Sequence, residues 1–279
     1  MAGANLTVQG RQLARRLREL RLDTGMDIAE TAKRLLCSPA KISRIETAQR
    51  PASLRDVRDL CRLYGLDESQ TEDMMRLAKD AQKQDWWQAY DDPDFRPYLS
   101  LESEATSITE YETTTIPGLF QTEEYARAVI RGWLPDIMDD ILQERVQART
   151  KRQERLHGAN PPLYRALLDE SVLHRHVGGR EVMRRQLEQV VKLAQLRHVT
   201  VQVIPFTVGA HMGFNSAFQF LEFDSELGPV VGLETLMGHF FLEKPKDIKR
   251  FLEAISHSSA VAMSPAESIA KIEAVSRTF

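Results

Sequence analysis

The segment DIAETAKRLLCSPAKISRIET, residues 27–47, predicts two short helices joined by a tight turn. Asp27 is a suitable cap for the first helix, because its carboxylate can accept hydrogen bonds from free backbone N–H groups. Ile28, Ala32 and Leu35 follow at the spacing of one apolar helix face. This spacing indicates that the first helix packs against a core.

The second helix of the segment begins at Ser38, a capping residue, and Pro39 occupies its first position, where no N–H is required. Ile42 and Ile45 form its apolar face. The outward positions are short, polar or basic, and they are Ser38, Ala40, Lys41, Ser43, Arg44 and Thr47.

A narrow, polar and cationic helix face suits the major groove of double-stranded DNA. Short side chains allow close approach, and Arg or Lys can reach guanine or the phosphate backbone. We predict that Arg44 is the main base contact and that the backbone around Ser38 and Pro39 docks on phosphate. For these residues alone, the alternative is an ordinary helical hairpin with a solvated outer face. The predicted DNA contacts are Ser38, Pro39, Ala40, Lys41, Ser43, Arg44 and Thr47.

The charge distribution favours the groove-binding interpretation. The formal net charge is −3, but residues 1–65 contain 13 Lys and Arg against 7 Asp and Glu, whereas residues 66–279 contain 24 against 33. A basic head on an acidic body indicates that only the head meets a polyanion.

Composition sets further bounds. The 279-residue chain is 42% hydrophobic and long enough for two domains. It has no apolar run that could span a bilayer, and residues 1–25 do not resemble a signal peptide, so we expect a cytoplasmic location and no membrane partner. Cys37 and Cys61 form no CxxC or Cys/His cluster, which predicts buried free thiols. No metal and no cofactor are predicted.

The helical pattern continues on both sides of the opening segment. A first helix is predicted over residues 9–24, with Gly25 as its stop signal. A fourth helix begins at Ser53, and a fifth covers residues 68–84. Five helices within residues 1–84 predict a compact all-α domain.

This head resembles the Xre-type helix-turn-helix family, the lambda repressor and Cro lineage, over about residues 11–65. The resemblance is carried by LRELRLDTGM at residues 17–26, by Ala32 at the helix contact and by ISRIE at residues 42–46. It implies a lambda-repressor-like fold and a role in DNA binding and transcription.

The resemblance also implies a structural pair and shows two departures. The family Arg that matches Arg21 often pairs with the Glu that matches Glu46, so we expect these residues to tie the first helix to the DNA-reading helix. Leu36 stands where the turn usually has Gly, and a left-handed backbone there would cost about 1 kcal/mol or more. Thr31 stands where a core Leu is usual.

The remainder of the chain has an α+β pattern. Strands predicted over residues 163–169 and 199–205 flank helical patterns, which implies a parallel strand pair with a right-handed crossover. Further strands are expected over residues 217–223, 230–235 and 239–242, and further helices over 171–177, 180–196, 123–131, 247–258 and from Ser264-Pro265 onward. Residues 102–115 are predicted to form a helix that becomes extended.

The predicted fold class is thus α+β overall. Residues 1–84 form the DNA-binding head, and residues 85–279 form a mixed α/β domain for ligand or partner binding and for dimerisation. Trp86, Trp87 and Tyr90 in the junction are expected to pack between the domains.

Four segments of the second half resemble the C-terminal domain of a large actinobacterial group of Xre-type regulators. This group is often described as antitoxin-like, and its members lie beside genes for small proteins. The resemblance implies no settled biochemical activity. The segments are IPGLFQTEEYARAVI at residues 116–130, RVQARTKRQERL at 145–156, LDESVLHRHVGG at 168–179 and VTVQVIPFTVGAHMGF at 199–214.

Candidate chemistry in the second half is weak, and no nucleophile, base or metal-ligand constellation indicates an enzyme. Glu170 or Ser171 is expected to cap a helix. The loops at residues 178–180 and 209–213 are open to an anion-binding or partner-binding role, or to a plain structural one.

Arg145, Arg149 and Arg152 share one helix face, and this basic strip could touch DNA. We favour a solvated face paired with acidic neighbours such as Glu144 or Glu154, or with a second subunit, because the domain is acidic overall.

We predict a sequence-specific DNA-binding transcriptional regulator that forms a homodimer through its C-terminal domain. The alternative is an antitoxin-like protein whose C-terminal domain binds a small protein from a neighbouring gene, with DNA binding for autoregulation. A third hypothesis is a ligand-sensing domain, with a metabolite beneath residues 116–122 or 209–214.

Overall fold

The computed structural model describes residues 7–82, 95–224 and 227–279. The chain divides into two compact units, residues 1–104 with 225–227 and residues 105–224 with 228–279. The predicted packing of Trp86, Trp87 and Tyr90 lies outside the described residues.

The first unit is helical, and its first five helices confirm the predicted series. Each of the five begins at a residue whose side chain accepts a backbone N–H three positions on: Thr7, Asp27, Ser38, Ser53 and Asp67. The helices are α1 (Val8–Asp23), α2 (Ile28–Arg34), α3 (Pro39–Glu46), α4 (Leu54–Leu63), α5 (Glu68–Asp80) and α6 (Arg96–Glu104).

The core of this unit is formed by the predicted apolar faces. Leu17 of α1, Ala32 of α2 and Ile42 and Ile45 of α3 are buried together. Cys61 belongs to the same cluster, and Cys37 is half-buried against it. This burial fixes which side of α3 faces outward.

The second unit is built on a six-stranded mixed sheet with the order β3-β2-β1-β4-β5-β6. Strands β1, β2 and β3 are parallel, as predicted for the pair β2 and β3, and the remaining pairings are antiparallel. The strands are β1 (Ser107–Glu112), β2 (Leu163–Asp169), β3 (Val199–Ile204), β4 (Phe218–Glu222), β5 (Val230–Thr235) and β6 (Gly238–Leu242).

Helices connect and cover the strands of this sheet. The helices are α7 (Glu123–Trp133), α8 (Asp139–Gln153), α9 (Ser171–His174), α10 (Arg180–Leu193), α11 (Pro245–Val261) and α12 (Pro265–Ser276). Ser264 caps α12 through a reciprocal capping box with Glu267, at the predicted start of that helix. The α+β fold class is therefore confirmed.

The prediction that residues 102–115 form a helix that becomes extended is confirmed, although the helix begins earlier, at Arg96. The helix ends at Glu104, and Ser107–Glu112 forms β1 in the interior of the sheet. Alternation along β1 places Tyr111 on the face that packs against Ile255 of α11, and places Glu110 and Glu112 on the opposite face. Two buried carboxylates therefore lie on a central strand.

Candidate nucleic-acid interface

The turn between α2 and α3 is set by a left-handed residue at Leu36, whose φ is 51°. The N–H of Leu36 donates to the carbonyl of Lys33 at 3.3 Å, and the N–H of Cys37 donates to that of Ala32 at 2.9 Å. This pair of bonds is a Schellman motif, which usually places glycine at the left-handed position. The side chain of Leu36 is 94% exposed, so no burial offsets the backbone cost.

Helix α3 also ends at a left-handed residue that is not glycine. Ala48 has a φ of 57°, and the N–H of Gln49 donates to the carbonyl of Arg44 at 2.8 Å. Both ends of α3 are thereby fixed by hydrogen-bonded turns.

The outer face of α3 presents a polar surface with one long cation. The hydroxyl of Ser38 accepts the N–H of Lys41 at 3.2 Å, and the hydroxyl of Thr47 donates to the carbonyl of Ser43 at 2.7 Å. Arg44 is exposed and has no ion pair among the residues that the structure describes. Of the seven predicted contacts, five are exposed and two are half-buried: Ser38, Pro39, Ala40, Arg44 and Thr47 in the first group, Lys41 and Ser43 in the second.

Lys41 is tied to α4 instead of extending freely from α3. Its Nζ lies 2.5 Å from Oδ1 of Asp56, which also forms the capping box of α4 with Ser53. Burial disfavours the charged carboxylate, but hydrogen bonds from Lys41 and Ser53 outweigh it and lower the pKa of Asp56. No sequence pattern indicated this pairing, because Lys41 and Asp56 lie on different helices.

Arg21 and Glu46 form a bidentate ion pair between α1 and α3. The distances are 2.7 Å from Nε to Oε1 and 2.9 Å from Nη2 to Oε2, and Nη1 donates to the carbonyl of Met26 at 2.7 Å. The side chains are 7% and 4% exposed, and the hydrogen bonds to Glu46 raise the pKa of Arg21. The pair orients α3 from its buried side and does not face outward.

Thr31, at the position where the resemblance leads one to expect Leu, is completely buried. Its hydroxyl donates to the carbonyl of Asp27, four residues earlier, at 2.9 Å. The polar group is therefore satisfied within α2, and the core accepts it.

The arginine strip of α8 does not form the solvated face that we predicted. Arg152 is buried, and its guanidinium packs so closely on Gly118 that a Cβ there would lie 3.0 Å from Nη2. Arg149 donates to Oε1 of Gln121 at 2.6 Å. Both arginines thus contact the IPGLFQ turn.

The remaining contacts of that turn explain the motif in structural terms. The backbone N–H of Ile116 donates to the hydroxyl of Tyr125 at 3.0 Å, and its carbonyl accepts Nε2 of Gln121 at 2.7 Å. Thr122 caps α7, as predicted. The motif residues thus build a rigid turn that positions Arg149 and Arg152 of α8.

The other candidates of the second half have structural partners. Glu170 occupies the N-cap position of α9, as predicted, but its side chain makes no capping hydrogen bond. Its carboxylate instead accepts hydrogen bonds from Lys271 Nζ at 2.6 Å and from the N–H of Phe206 at 2.8 Å. Arg180 donates to the carbonyl of Thr278 at 2.7 Å, and Ser258 holds the 209–213 loop through the carbonyl of Met212 at 2.8 Å.

Comparison with known families agrees with this geometry. The helix-turn-helix domain family matches residues 12–74, which contain α2, the turn and α3. A helix-turn-helix domain marks a DNA-binding regulator. The chain belongs to the family defined by a domain of unknown function (DUF5753), which matches residues 95–274. Comparisons with curated proteins and with solved structures gave no match.

Within the described ranges, no group of three or more His, Cys, Asp and Glu side chains could hold a metal ion. Over the same residues, every helix is too short or too polar to cross a membrane.

Proposed function

We propose that this chain is a sequence-specific transcriptional regulator that reads the major groove of double-stranded DNA with α3. The observation that carries the proposal is the outer face of α3, where Arg44 is exposed among short side chains while Ile42, Ile45 and Glu46 are held in the unit. A rigid helix with a narrow outer face can enter the groove, and a guanidinium can bind guanine in a bidentate manner. The protein acts without catalysis of its own.

The start of α3 suits a phosphate. The helix N-terminus offers unpaired backbone N–H groups and the positive end of the helix dipole. Ser38 uses its hydroxyl oxygen to accept a backbone N–H, which leaves the O–H proton as a donor to a phosphate oxygen. Because Lys41 is paired with Asp56, we assign it a supporting role and assign base reading to Arg44.

The test compares Arg44→Ala with Lys33→Ala, which removes an exposed cation at the end of α2. Binding is measured by fluorescence anisotropy on a preferred duplex and on a random duplex at one salt concentration. We expect Arg44→Ala to weaken binding to the preferred duplex by about 1–3 kcal/mol more than to the random one. Lys33→Ala should weaken both equally. Equal losses for Arg44→Ala would make it a phosphate contact.

A homodimer formed through the second unit is part of the proposal, because helix-turn-helix proteins usually bind two half-sites. The β5–β6 hairpin supports it: β6 ends the sheet, and the hairpin exposes Leu236, Met237 and Phe240. An edge strand without charged protection favours pairing with another strand. Sedimentation of a Leu236→Glu, Met237→Glu double variant should show a monomer, and an unchanged dimer would contradict this surface.

The alternative partner is a small protein from a neighbouring gene, which the same hairpin could bind. Co-expression of the two genes followed by mass measurement of the purified complex distinguishes the two proposals. A stoichiometric small subunit favours the antitoxin-like alternative, whereas a chain that purifies as two copies of itself favours the homodimer.

A further inference from the structure

Four polar residues of the sheet lie on one face of the second unit. Glu110 of β1 and Gln219 of β4 are register partners, and Glu112 is two residues further along β1. Gln219 is in turn the partner of Gly232, two residues before Glu234 on β5. Side chains two apart on a strand share a face, so these four share one. With the two arginines of α8 they form what we call the inner-face cluster: Glu110, Glu112, Gln219, Glu234, Arg149 and Arg152.

Within the inner-face cluster, the positive charge near Glu112 does not fully compensate the nearby carboxyl groups. Glu112 is buried, and this burial is the main reason that its pKa is raised well above the usual range. The neighbouring carboxyl groups of Glu110 and Glu234 raise the pKa further, and Arg149 opposes them only in part. Burial and then Arg152 lower the pKa of Arg149. A buried carboxyl in this setting favours the protonated form until a cation arrives.

Gln219 provides a second, independent sign of a missing partner. The residue is only 4% exposed, and its Oε1 has no hydrogen-bond partner in the part of the chain that the structure describes. Buried amide oxygens in native proteins are almost always hydrogen-bonded. A ligand with an N–H donor would satisfy Gln219 and, if positively charged, would also compensate Glu112.

The side chains exclude the simpler ligands. A metal ion would need several oxygen or nitrogen ligands in one group, and the described residues contain no such group of three. An inorganic anion would add to the repulsion already present between the carboxyl groups of Glu110 and Glu112. A polyatomic cation with N–H donors fits both the charge and the unpaired oxygen.

The cluster has a partly exposed member, Glu234, and its Arg149 lies beside an exposed aromatic ring. The side chain of Glu234 is 33% exposed, and Trp133, which is 52% exposed, has the guanidinium of Arg149 5.7 Å from its ring centre.

We propose that the inner-face cluster binds a small organic molecule through a primary ammonium group that donates to Glu112 and to Oε1 of Gln219. This gives the ligand-sensing hypothesis a defined site in the second unit, and it rests on the proposed function only for its regulatory consequence. On binding, the ammonium keeps its three protons, the carboxyl of Glu112 ionises, and its proton passes to solvent.

Other charged or titratable groups surround Glu112 and shape this response. Tyr164 donates its hydroxyl to Glu110, and the hydroxyl of Tyr125 lies under the IPGLFQ turn. His239 lies 3.8 Å from Glu234. The groups that act on Glu112 directly are thus Glu110, Glu234, Arg149 and Tyr125. Tyr164, His239 and Arg152 act through Glu110, Glu234 and Arg149, respectively.

The experiment is isothermal titration calorimetry of the full chain with alkylamines, α,ω-diamines and amino-acid amides, and with matched alcohols and acetate as controls. We expect saturable binding of an amine with proton release, seen as a heat that depends on the ionisation enthalpy of the buffer. As pH increases toward the native pKa of Glu112, the affinity for the amine should rise by up to about tenfold for each pH unit.

Three variants make the result specific. Glu112→Gln removes the ionisable group, and Gln219→Met removes the acceptor at similar volume; each should weaken binding at least about tenfold, the free-energy scale of one lost hydrogen bond to a charged group. Glu222→Gln, an exposed change on the same sheet, should leave binding unchanged. Absence of amine binding, binding of acetate instead, or equal affinity in all three variants would overturn the proposal.

DNA binding is measured separately, by anisotropy with and without the amine. If no amine binds while specific DNA binding persists, the inference fails and the proposed function stands. If an amine binds with the expected variant pattern while no duplex is preferred, the ligand site stands and the proposed function fails.

Discussion

The two units of this chain differ in the source of their unfavourable energy, which is backbone strain in the first unit and an uncompensated buried carboxyl in the second. In the first unit the buried charges are matched, since Arg21 and Glu46 form a bidentate pair, but the backbone is left-handed at Leu36 and Ala48. In the second unit every left-handed residue that the structure describes is glycine, but Glu112 is buried beside other carboxylates.

This difference separates a surface that must be rigid from one that must respond. A matched, hydrogen-bonded pair fixes α3 against α1, so the outer face of α3 is held in place before DNA arrives. Under the proposed ligand binding, the unmatched buried carboxyl of Glu112 would ionise when a cation binds, which would let the second unit respond to a ligand. The predictions below disturb each arrangement in turn.

The largest effect is expected from breaking the matched pair. Arg21→Met leaves the carboxylate of Glu46 buried without its partner, and such a loss typically costs about 3–5 kcal/mol. Denaturant unfolding of the full chain, followed by a probe in the first unit, measures the change.

The matched control is the double variant Arg21→Met, Glu46→Leu, which removes both charges. Most of the lost stability should return, because no uncompensated charge remains. If the single and double variants were equally unstable, the pair would matter for its packing and not for its charge balance.

A smaller, pH-dependent effect is expected from neutralising the unmatched carboxyl. Because the pKa of Glu112 is raised in the native state, the protonated side chain contributes fully to folding stability below the ordinary carboxyl pKa. This contribution is lost as pH rises toward the native pKa. Glu112→Gln should therefore be more stable than the parent at neutral pH, by up to about 1.4 kcal/mol for each pH unit of that interval.

The difference between Glu112→Gln and the parent should vanish near pH 4, where both chains carry a neutral group at this position. Thermal unfolding over a pH series measures it. A constant loss of stability at every pH would show that Glu112 is needed as a charge in the native state.

The smallest effect is expected from relieving the backbone of the turn. Leu36→Gly should stabilise the first unit by about 1 kcal/mol, because the exposed Leu side chain contributes little packing while its backbone is left-handed. Gly25→Ala is the reverse control. Gly25 has a φ of +72° and open space around a Cβ, so the Ala variant should lose a similar amount of stability through backbone strain alone. A destabilised Leu36→Gly variant would place Leu36 in a contact that its exposure does not reveal.

The first unit was predictable because its signals are local. Each of its first five helices begins at a capping side chain a few residues from the backbone groups it satisfies, and Gly25 ends α1 as expected. The resemblance also marked Leu36 as the turn position that usually has Gly, and the backbone there is left-handed. The Lys41–Asp56 pair could not, because it depends on how α3 and α4 meet.

The second unit was less predictable because its decisive contacts are distant in sequence. Four of the six residues of β1 are polar and two of these are carboxylates, so nothing in SITEYE predicted burial of Glu110 and Glu112. Arg149 and Arg152 likewise look like a solvated helix face until the IPGLFQ turn is placed against them.

The measurement that tests the central claim most directly is selection of duplexes by the full chain from a random-sequence pool, followed by sequencing. We expect enrichment of a two-fold symmetric site whose half-sites lie about 10–10.5 base pairs apart, or a multiple of that, and loss of the enrichment in Arg44→Ala. A pool that remains random with the unmodified chain, or an identical site selected by Arg44→Ala, would contradict DNA reading by α3.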